Sequence, residues 1–302
     1  MKKLSKPILF FGSGPVAAES LRLLAEYCEI EAVITKPRPA HHHGDVPVLR
    51  IAAELKLPVH TVRNRRELDM LIAETSFQSD LGVLIDFGII VSQTVIDAFP
   101  RGIINSHFSL LPEWRGADPI TFSILSGQAQ TGISLMLLTA GMDEGPILAY
   151  AQHPIGPETT TPTLTHDLIL LSDATLQSML PLYLSGKAIP VPQDESTAPT
   201  YSRKLTKSDG IIDWNKPAQE LEREIRAFAE WPKSHAVIDG KPVILLKTHV
   251  VDQAGRPGSI APNPHKTLIV FCAQQALAID ELKPAGKQTM TGVAFAAGYL
   301  RK

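Results

Sequence analysis

Short apolar runs recur through the first half of the chain, at residues 8–11, 32–35, 59–62, 81–85, 102–105 and 133–138. The stretches between several of them are amphipathic. Residues 16–25 place Ala17, Ser20, Leu21 and Leu24 on one face at helical spacing, and residues 47–55 and 66–74 behave similarly. Strand-length apolar runs alternating with helices mark βαβ units, whose strands pair in parallel with helices covering both faces. The expectation is an α/β fold: a doubly wound, mostly parallel sheet that binds ligands at the carboxyl ends of its strands.

The texture changes after a helix predicted over residues 164–184. Pro190, Pro192 and Pro199 punctuate a polar stretch that cannot sustain a helix and reads as a connector. Beyond Ser208, a helix is predicted over residues 217–229, with Leu221, Ile225 and Phe228 in phase. Short alternating strands follow at 235–238, 243–251, 268–271 and 276–282, the pattern of a small C-terminal β-barrel of the OB type. With 302 residues, two domains are expected: 1–190, a linker over 191–207, and 208–302.

Charge narrows the function classes only slightly. The net charge is −2, so nothing in the bulk electrostatics advertises a polyanion partner. Through Lys207 there are 17 Lys and Arg against 21 Asp and Glu, and from Ser208 onward 12 against 10, which tilts the second half basic. Cys28 and Cys272 stand far apart in apolar surroundings and read as packing residues, not as metal ligands or a redox pair. Lys2, Lys3 and Lys6 precede the first apolar run as in a secretion signal. That run is too short, and Gly12-Ser13-Gly14-Pro15 breaks it, so a first strand and a cytoplasmic address are expected.

Two segments follow strand ends, where a site is expected. Gly12-Ser13-Gly14-Pro15 is either a tight strand-to-helix turn or an anion-binding loop. Ala17 stands where a dinucleotide fingerprint needs its third glycine, so no nucleotide cofactor is expected. Asn105-Ser106-His107-Phe108-Ser109-Leu110-Leu111-Pro112 ends a buried strand, and in extended chain Asn105 and His107 point to the same side. Downstream, Gly141-Met142-Asp143-Glu144-Gly145-Pro146 forms a glycine-bounded loop that presents an acid near the same sheet edge.

Asn-x-His, then Ser-Leu-Leu-Pro, then Asp before Gly-Pro, in that order and spacing, resembles the folate-dependent formyltransferase family. The resemblance implies a Rossmann-like catalytic fold, 10-formyltetrahydrofolate as co-substrate and no metal. It implies Asn105, His107 and Asp143 as the catalytic trio, and Ser109, Leu110, Leu111 and Pro112, with Phe87 and Gly88, as folate-contacting. Formyl transfer to an amine passes through a tetrahedral oxyanion. The Asn105 amide can donate to it, and loss of one such donor typically costs about 10²–10³ in rate. His107 is placed to act as proton donor and Asp143 to orient the ring and carry the amine proton outward.

The flanking sequence resembles the family members that formylate initiator methionyl-tRNA. The residues are Trp114-Arg115-Gly116, Tyr201-Ser202-Arg203-Lys204-Leu205, Asp209-Gly210-Ile211-Ile212-Asp213-Trp214 and Leu282-Lys283-Pro284-Ala285-Gly286-Lys287. That resemblance implies a tRNA partner, a monomer and a role in translation initiation. Lys36, Arg38, Lys204, Lys207, Lys283 and Lys287 are the expected phosphate contacts, with Arg223, Arg226 and Lys247 also available. The chain departs from the family pattern at Phe87-Gly88, where Tyr-Gly is usual, and at Ala117-Asp118, where Ala-Ala is usual. Residues 36–44 form a shorter, less basic loop, in which His41, His42 and His43 read as surface residues. Formylation of an amino-sugar nucleotide, hydrolysis of formyl-folate, or folate or tRNA binding without catalysis are the rival readings.

Overall fold

The computed structural model describes residues 4, 6–40, 44–194 and 196–300. Lys2, Lys3 and His41, His42 and His43 lie outside the described residues. Contacts group the chain into two compact units. The first comprises Met1–Pro119, Gln130–Pro154 and Thr165–Ser202; the second comprises Ile120–Ala129, Ile155–Leu164 and Arg203–Lys302.

The first part of the chain follows the predicted alternation: β1 (Ile8–Phe11), α1 (Pro15–Tyr27), β2 (Ile30–Thr35), α2 (Pro47–Glu54), β3 (Val59–Thr61), α3 (Arg65–Glu74), β4 (Gly82–Leu84), α4 (Gln93–Asp97) and β5 (Ile103–His107). Then come β6 (Arg115–Gly116), α5 (Pro119–Ser126), β7 (Gln130–Leu137), β8 (Ile147–Pro154), α6 (Thr161–Leu184) and β9 (Tyr201–Ser202). A seven-stranded sheet runs in the order β3-β2-β1-β4-β5-β7-β8. The first five strands of that order pair in parallel; β7 and β8 run antiparallel to their neighbours. The chain winds outward from β1 to β3 and returns to β4, so strand order reverses between β1 and β4, the position at which open α/β sheets form a crevice.

Burial explains why these segments take these forms. Every residue of β1 is buried. Leu9 and Phe11 share a core with Leu68 of α3 and Val95 and Ile96 of α4, and the Phe11 ring meets Phe87 and Phe99 edge-on at 5.7 and 5.8 Å. Pro15 opens α1, where its missing N–H costs nothing, and Asn64 and Ser92 cap α3 and α4 by accepting from Glu67 N and Val95 N. On β5, the Ser106 hydroxyl meets that of Ser172 on α6 at 2.7 Å.

The β7–β8 hairpin positions the candidate acid. His107 pairs with Ser134 and Ile104 with Leu137, so residues 138–146 begin beside the amino-terminal end of β5 and must fold back to reach its last residues. At Gly145 a Cβ would sit 1.7 Å from Leu137 O, so only glycine fits this crossing. The Pro-rich stretch is sewn to the same unit as the hairpin. Val191 and Ile147 exchange backbone bonds of 2.7 and 2.8 Å, and β9 pairs in parallel with β6. Residues 191–194 and 196–202, within the stretch expected as a linker over 191–207, group with the first unit. Proline excludes helix but leaves the intervening N–H groups and all carbonyls to pair.

The second unit holds α7 (Ala218–Ala227), β10 (Ser234–Ile238), β11 (Lys241–Val251), β12 (Ile269–Phe271), β13 (Ala276–Pro284), β14 (Met290–Thr291) and α8 (Gly292–Tyr299). Its strands form an antiparallel half-barrel in the order β10-β11-β13-β12, with β14 on β13. Register irregularities between Leu245 and Thr248 interrupt the long β11 ladder against β13, a device that bends a strand. Leu221 and Ile225 of α7 and Phe295 of α8 are buried with Val243, Leu245 and Leu277. The fold class read from the sequence holds: a parallel-dominated α/β sheet followed by a barrel-like β domain. Among the described residues no helix is long and apolar enough to cross a membrane.

Candidate active site

Asn105 and His107 end β5 two residues apart and face the same way, beside Met136 and Ser134 of β7. The chain after β5 folds back over that face. The Ser134 hydroxyl donates to Ser109 O at 2.7 Å and accepts from Leu111 N at 2.9 Å. Tyr150 OH donates to Leu111 O at 2.9 Å, and the Leu111 side chain packs on Met136 and Ile147. Ser109 donates its own hydroxyl to Glu113 O at 2.5 Å. Ser109, Leu111 and Pro112 are thus buried and shape the segment, leaving Leu110 half-exposed.

Asp143 reaches this face from the hairpin, with φ at +52°. Its Oδ1 lies 3.4 Å from Asn105 Nδ2 and 3.7 Å from His107 Nδ1. Its Oδ2 accepts from Gly116 N at 2.8 Å. His107 Nε2 lies 3.0 Å from Trp114 O, and a carbonyl only accepts, so Nε2 carries a proton. Asn105 and His107 are 7% and 6% exposed, so charge developing here is screened little by water.

Several contributors carry no assigned role in the sequence reading. Trp114, at φ +54°, is held by its N–H on Thr200 Oγ1 at 2.8 Å, which aims its carbonyl at His107. Gln193 donates to Asp143 O and Gly145 O at 2.7 and 3.0 Å, and Arg115 donates to Gln193 Oε1 at 2.7 Å. The Pro-Gln within the connector and the Arg-Gly after Trp114 were visible, but pairing them required the fold.

Asp86, at φ +45°, follows β4 at the switch point. Its backbone carbonyl accepts from Ser13 N and Gly14 N at 3.0 and 3.3 Å. Its carboxylate lies against Gly14, where a Cβ would sit 1.7 Å from Oδ2. The Gly-rich loop is therefore the tight turn of the two sequence readings, with those two amides committed within the chain. Burial pushes the Asp86 carboxyl up to about 6, opposed by Lys36 and reinforced by Asp118. Next to it, Phe87 is 1% exposed with its ring in the core against Phe11, so its side chain is unavailable to a ligand. Gly88 turns at φ +65°, and a Cβ there would meet Lys36 Nζ at 2.7 Å.

Of the expected phosphate contacts, Lys36 and Arg38 line a concavity of about 430 Å³ together with Arg63. In the second unit Lys204, Lys207, Lys283 and Lys287 are all exposed. Arg226, read from sequence as available, instead grips Glu222 at 2.6 and 3.0 Å and Thr159 O at 2.7 Å. Arg223 likewise turns to Leu125 O at 3.3 Å. Among the described residues no group of three or more His, Cys, Asp or Glu is placed to hold a metal ion.

Residues 10–178 match the family model described as formyl transferase, and residues 204–300 match the one described as formyl transferase, C-terminal domain. The chain belongs to the formyltransferase family. A methionyl-tRNA formyltransferase of Sorangium cellulosum is 35% identical over 298 residues, covering 96% of each chain. One from Pseudomonas putida is 37% identical over 286 residues, covering 93% of this chain and 92% of the other. This formyltransferase chain also shares its fold with an N-formyltransferase of Helicobacter canadensis, solved with folinic acid and dTDP-3-aminofucose. The TM-score is 0.69 at 17% identity, over 95% of this chain and all of that one. The two curated relatives span both units, so the likeness extends through the half-barrel as well as the sheet.

Proposed function

We propose that the protein transfers the formyl group of 10-formyltetrahydrofolate to the free amine of methionyl initiator tRNA, as a monomeric cytoplasmic enzyme serving translation initiation. The convergence of Asn105 and His107 on the Asp143 carboxylate within 3.7 Å, in a buried niche over the end of β5, carries the formyl transfer, and the likeness to methionyl-tRNA formyltransferases through both units supports the acceptor. The Asn105 amide donates to the oxygen that becomes an oxyanion as the amine adds. His107 supplies a second donor and a proton for the departing folate nitrogen, while Asp143 keeps the ring oriented and accepts the amine proton through water. The folate fits a wall made by Leu110 and the backbone around Phe87 and Gly88, shaped from behind by Ser109, Leu111 and Pro112. We assign the chemistry to residues 1–190 and tRNA binding chiefly to residues 208–302, joined by 191–207, with Lys204, Lys207, Lys283 and Lys287 on the phosphates and Lys36 and Arg38 beside the site.

The test is transfer of radiolabelled formyl from 10-formyltetrahydrofolate to methionyl initiator tRNA by wild type and by Asn105→Ala, His107→Ala and Asp143→Ala. Wild type should turn over, and each variant should lose about 10²–10³ in kcat while still binding the folate. A folded wild type that formylates an amino-sugar nucleotide or releases formate, and leaves the tRNA untouched, overturns the acceptor.

A further inference from the structure

The hairpin tip that carries Asp143 has to leave β7 beside Ile104 and double back to meet His107, with a positive φ at the acid itself. Its tip is held from outside the loop, by Gly116 N on the Asp143 carboxylate and by Gln193 on the backbone. We propose that Gln193 is a positioning residue that clamps Asp143 into catalytic register, an inference that rests on the role given to Asp143 above. The side chain is 8% exposed and comes from the Pro-rich stretch, which is anchored two residues earlier by the Val191–Ile147 bridge. Its Nε2 donates to Asp143 O at 2.7 Å and to Gly145 O at 3.0 Å, so the carbonyls on either side of Glu144 hang from one amide group. Its Oε1 accepts from Arg115 Nη2 at 2.7 Å, which fixes the amide with its donors toward the loop. Arg115 also reaches Glu144 Oε1 at 3.4 Å, and the next residue, Gly116, donates its N–H to Asp143 Oδ2. Acid, loop and clamp therefore share one chain of donors, and Gln193 is the member that touches the Asp143 backbone without touching the reacting face.

The clamp acts by geometry. Misplacement of a reacting group by about 1 Å can cost roughly 10²-fold in rate. Loss of the amide donors should therefore lower kcat by about 10- to 100-fold with little change in KM for the folate. Gln193→Met keeps the length without donors. Gln193→Glu keeps an acceptor for Arg115 but sets a carboxylate oxygen against the two carbonyls, so it separates the clamp from the Arg115 contact.

The experiment measures formyl transfer to methionyl initiator tRNA for both variants, each alone and combined with Asp143→Asn, beside thermal melting and a crystal structure of Gln193→Met. The expected result has three parts. Both single variants lose kcat at near-native folate KM, neither lowers it further in the Asp143→Asn background, and the Asp143 carboxylate moves away from His107 in the crystal. An equal loss in both backgrounds, or an unmoved carboxylate, overturns the clamp while the role of Asp143 stands. An Asp143→Asn enzyme with native kcat overturns that role, and the clamp falls with it. If wild type does not formylate the tRNA, the position of the carboxylate in the crystal decides the clamp alone.

Discussion

Asp86 shows how one buried carboxyl ties stability to pH. In an unfolded chain such a group titrates near 3.8, and in the folded protein burial raises it to about 6. Between those values the folded state binds the extra proton, so stability falls as pH rises from about 4 through about 6 and the penalty is complete above that. Asp86→Asn removes the charge that burial opposes. It should be more stable than wild type at pH 7.5 by about 2–3 kcal/mol, with the gain vanishing by pH 4. Thermal melts of both proteins at the two pH values check this, and a pH-independent difference would mean that the carboxyl titrates normally. No motif pointed to Asp86: its significance lies in the Gly14 backbone pressed against it, which only the meeting of β1 and β4 creates.

Among elements, the β7–β8 hairpin leaves no room for a methyl at its tip. Gly145→Ala would drive a methyl into Leu137 O, and the hairpin tip must shift to admit it. The expected cost is about 1–3 kcal/mol of stability, together with a fall in kcat as Asp143 withdraws. A variant with wild-type melting and turnover would contradict so close a crossing. What could be read in advance follows the strength of local patterning. β1, β2, β4 and β5 were legible because buried parallel strands are continuous apolar runs. β8 was not: it is the sheet's last strand, and its residues alternate between part-buried and exposed along most of its length. α8 escaped because GVAFAAGY lacks a polar face and begins at glycine. Asn105, His107 and Asp143 were legible as a motif. Gln193 and the Trp114 carbonyl were not, since each acts through backbone groups that no residue type announces.

At the scale of the whole molecule, binding to tRNA should reside largely in charges that make no other commitment. Lys283 stands exposed on β13 and Lys287 in the turn before β14, whereas Arg226 is already bound to Glu222. Replacing Lys283 and Lys287 together with Ala should raise the KM for tRNA, leave that for the folate unchanged, and shallow the salt dependence of tRNA binding by up to about two units of slope. An unchanged tRNA KM at physiological salt would remove this surface from the interface. The sheet itself carries an older constraint. In many doubly wound proteins the turn after the first strand receives a phosphate, and here the Asp86 carbonyl occupies the Ser13 and Gly14 amides from within. A tethered acceptor competes at an effective concentration in the millimolar range or above, and the adjacent carboxylate repels any anion that approaches. The Ser13 and Gly14 amides are therefore already taken at the strand-order reversal, and a phosphate would have to displace the Asp86 carbonyl to reach them.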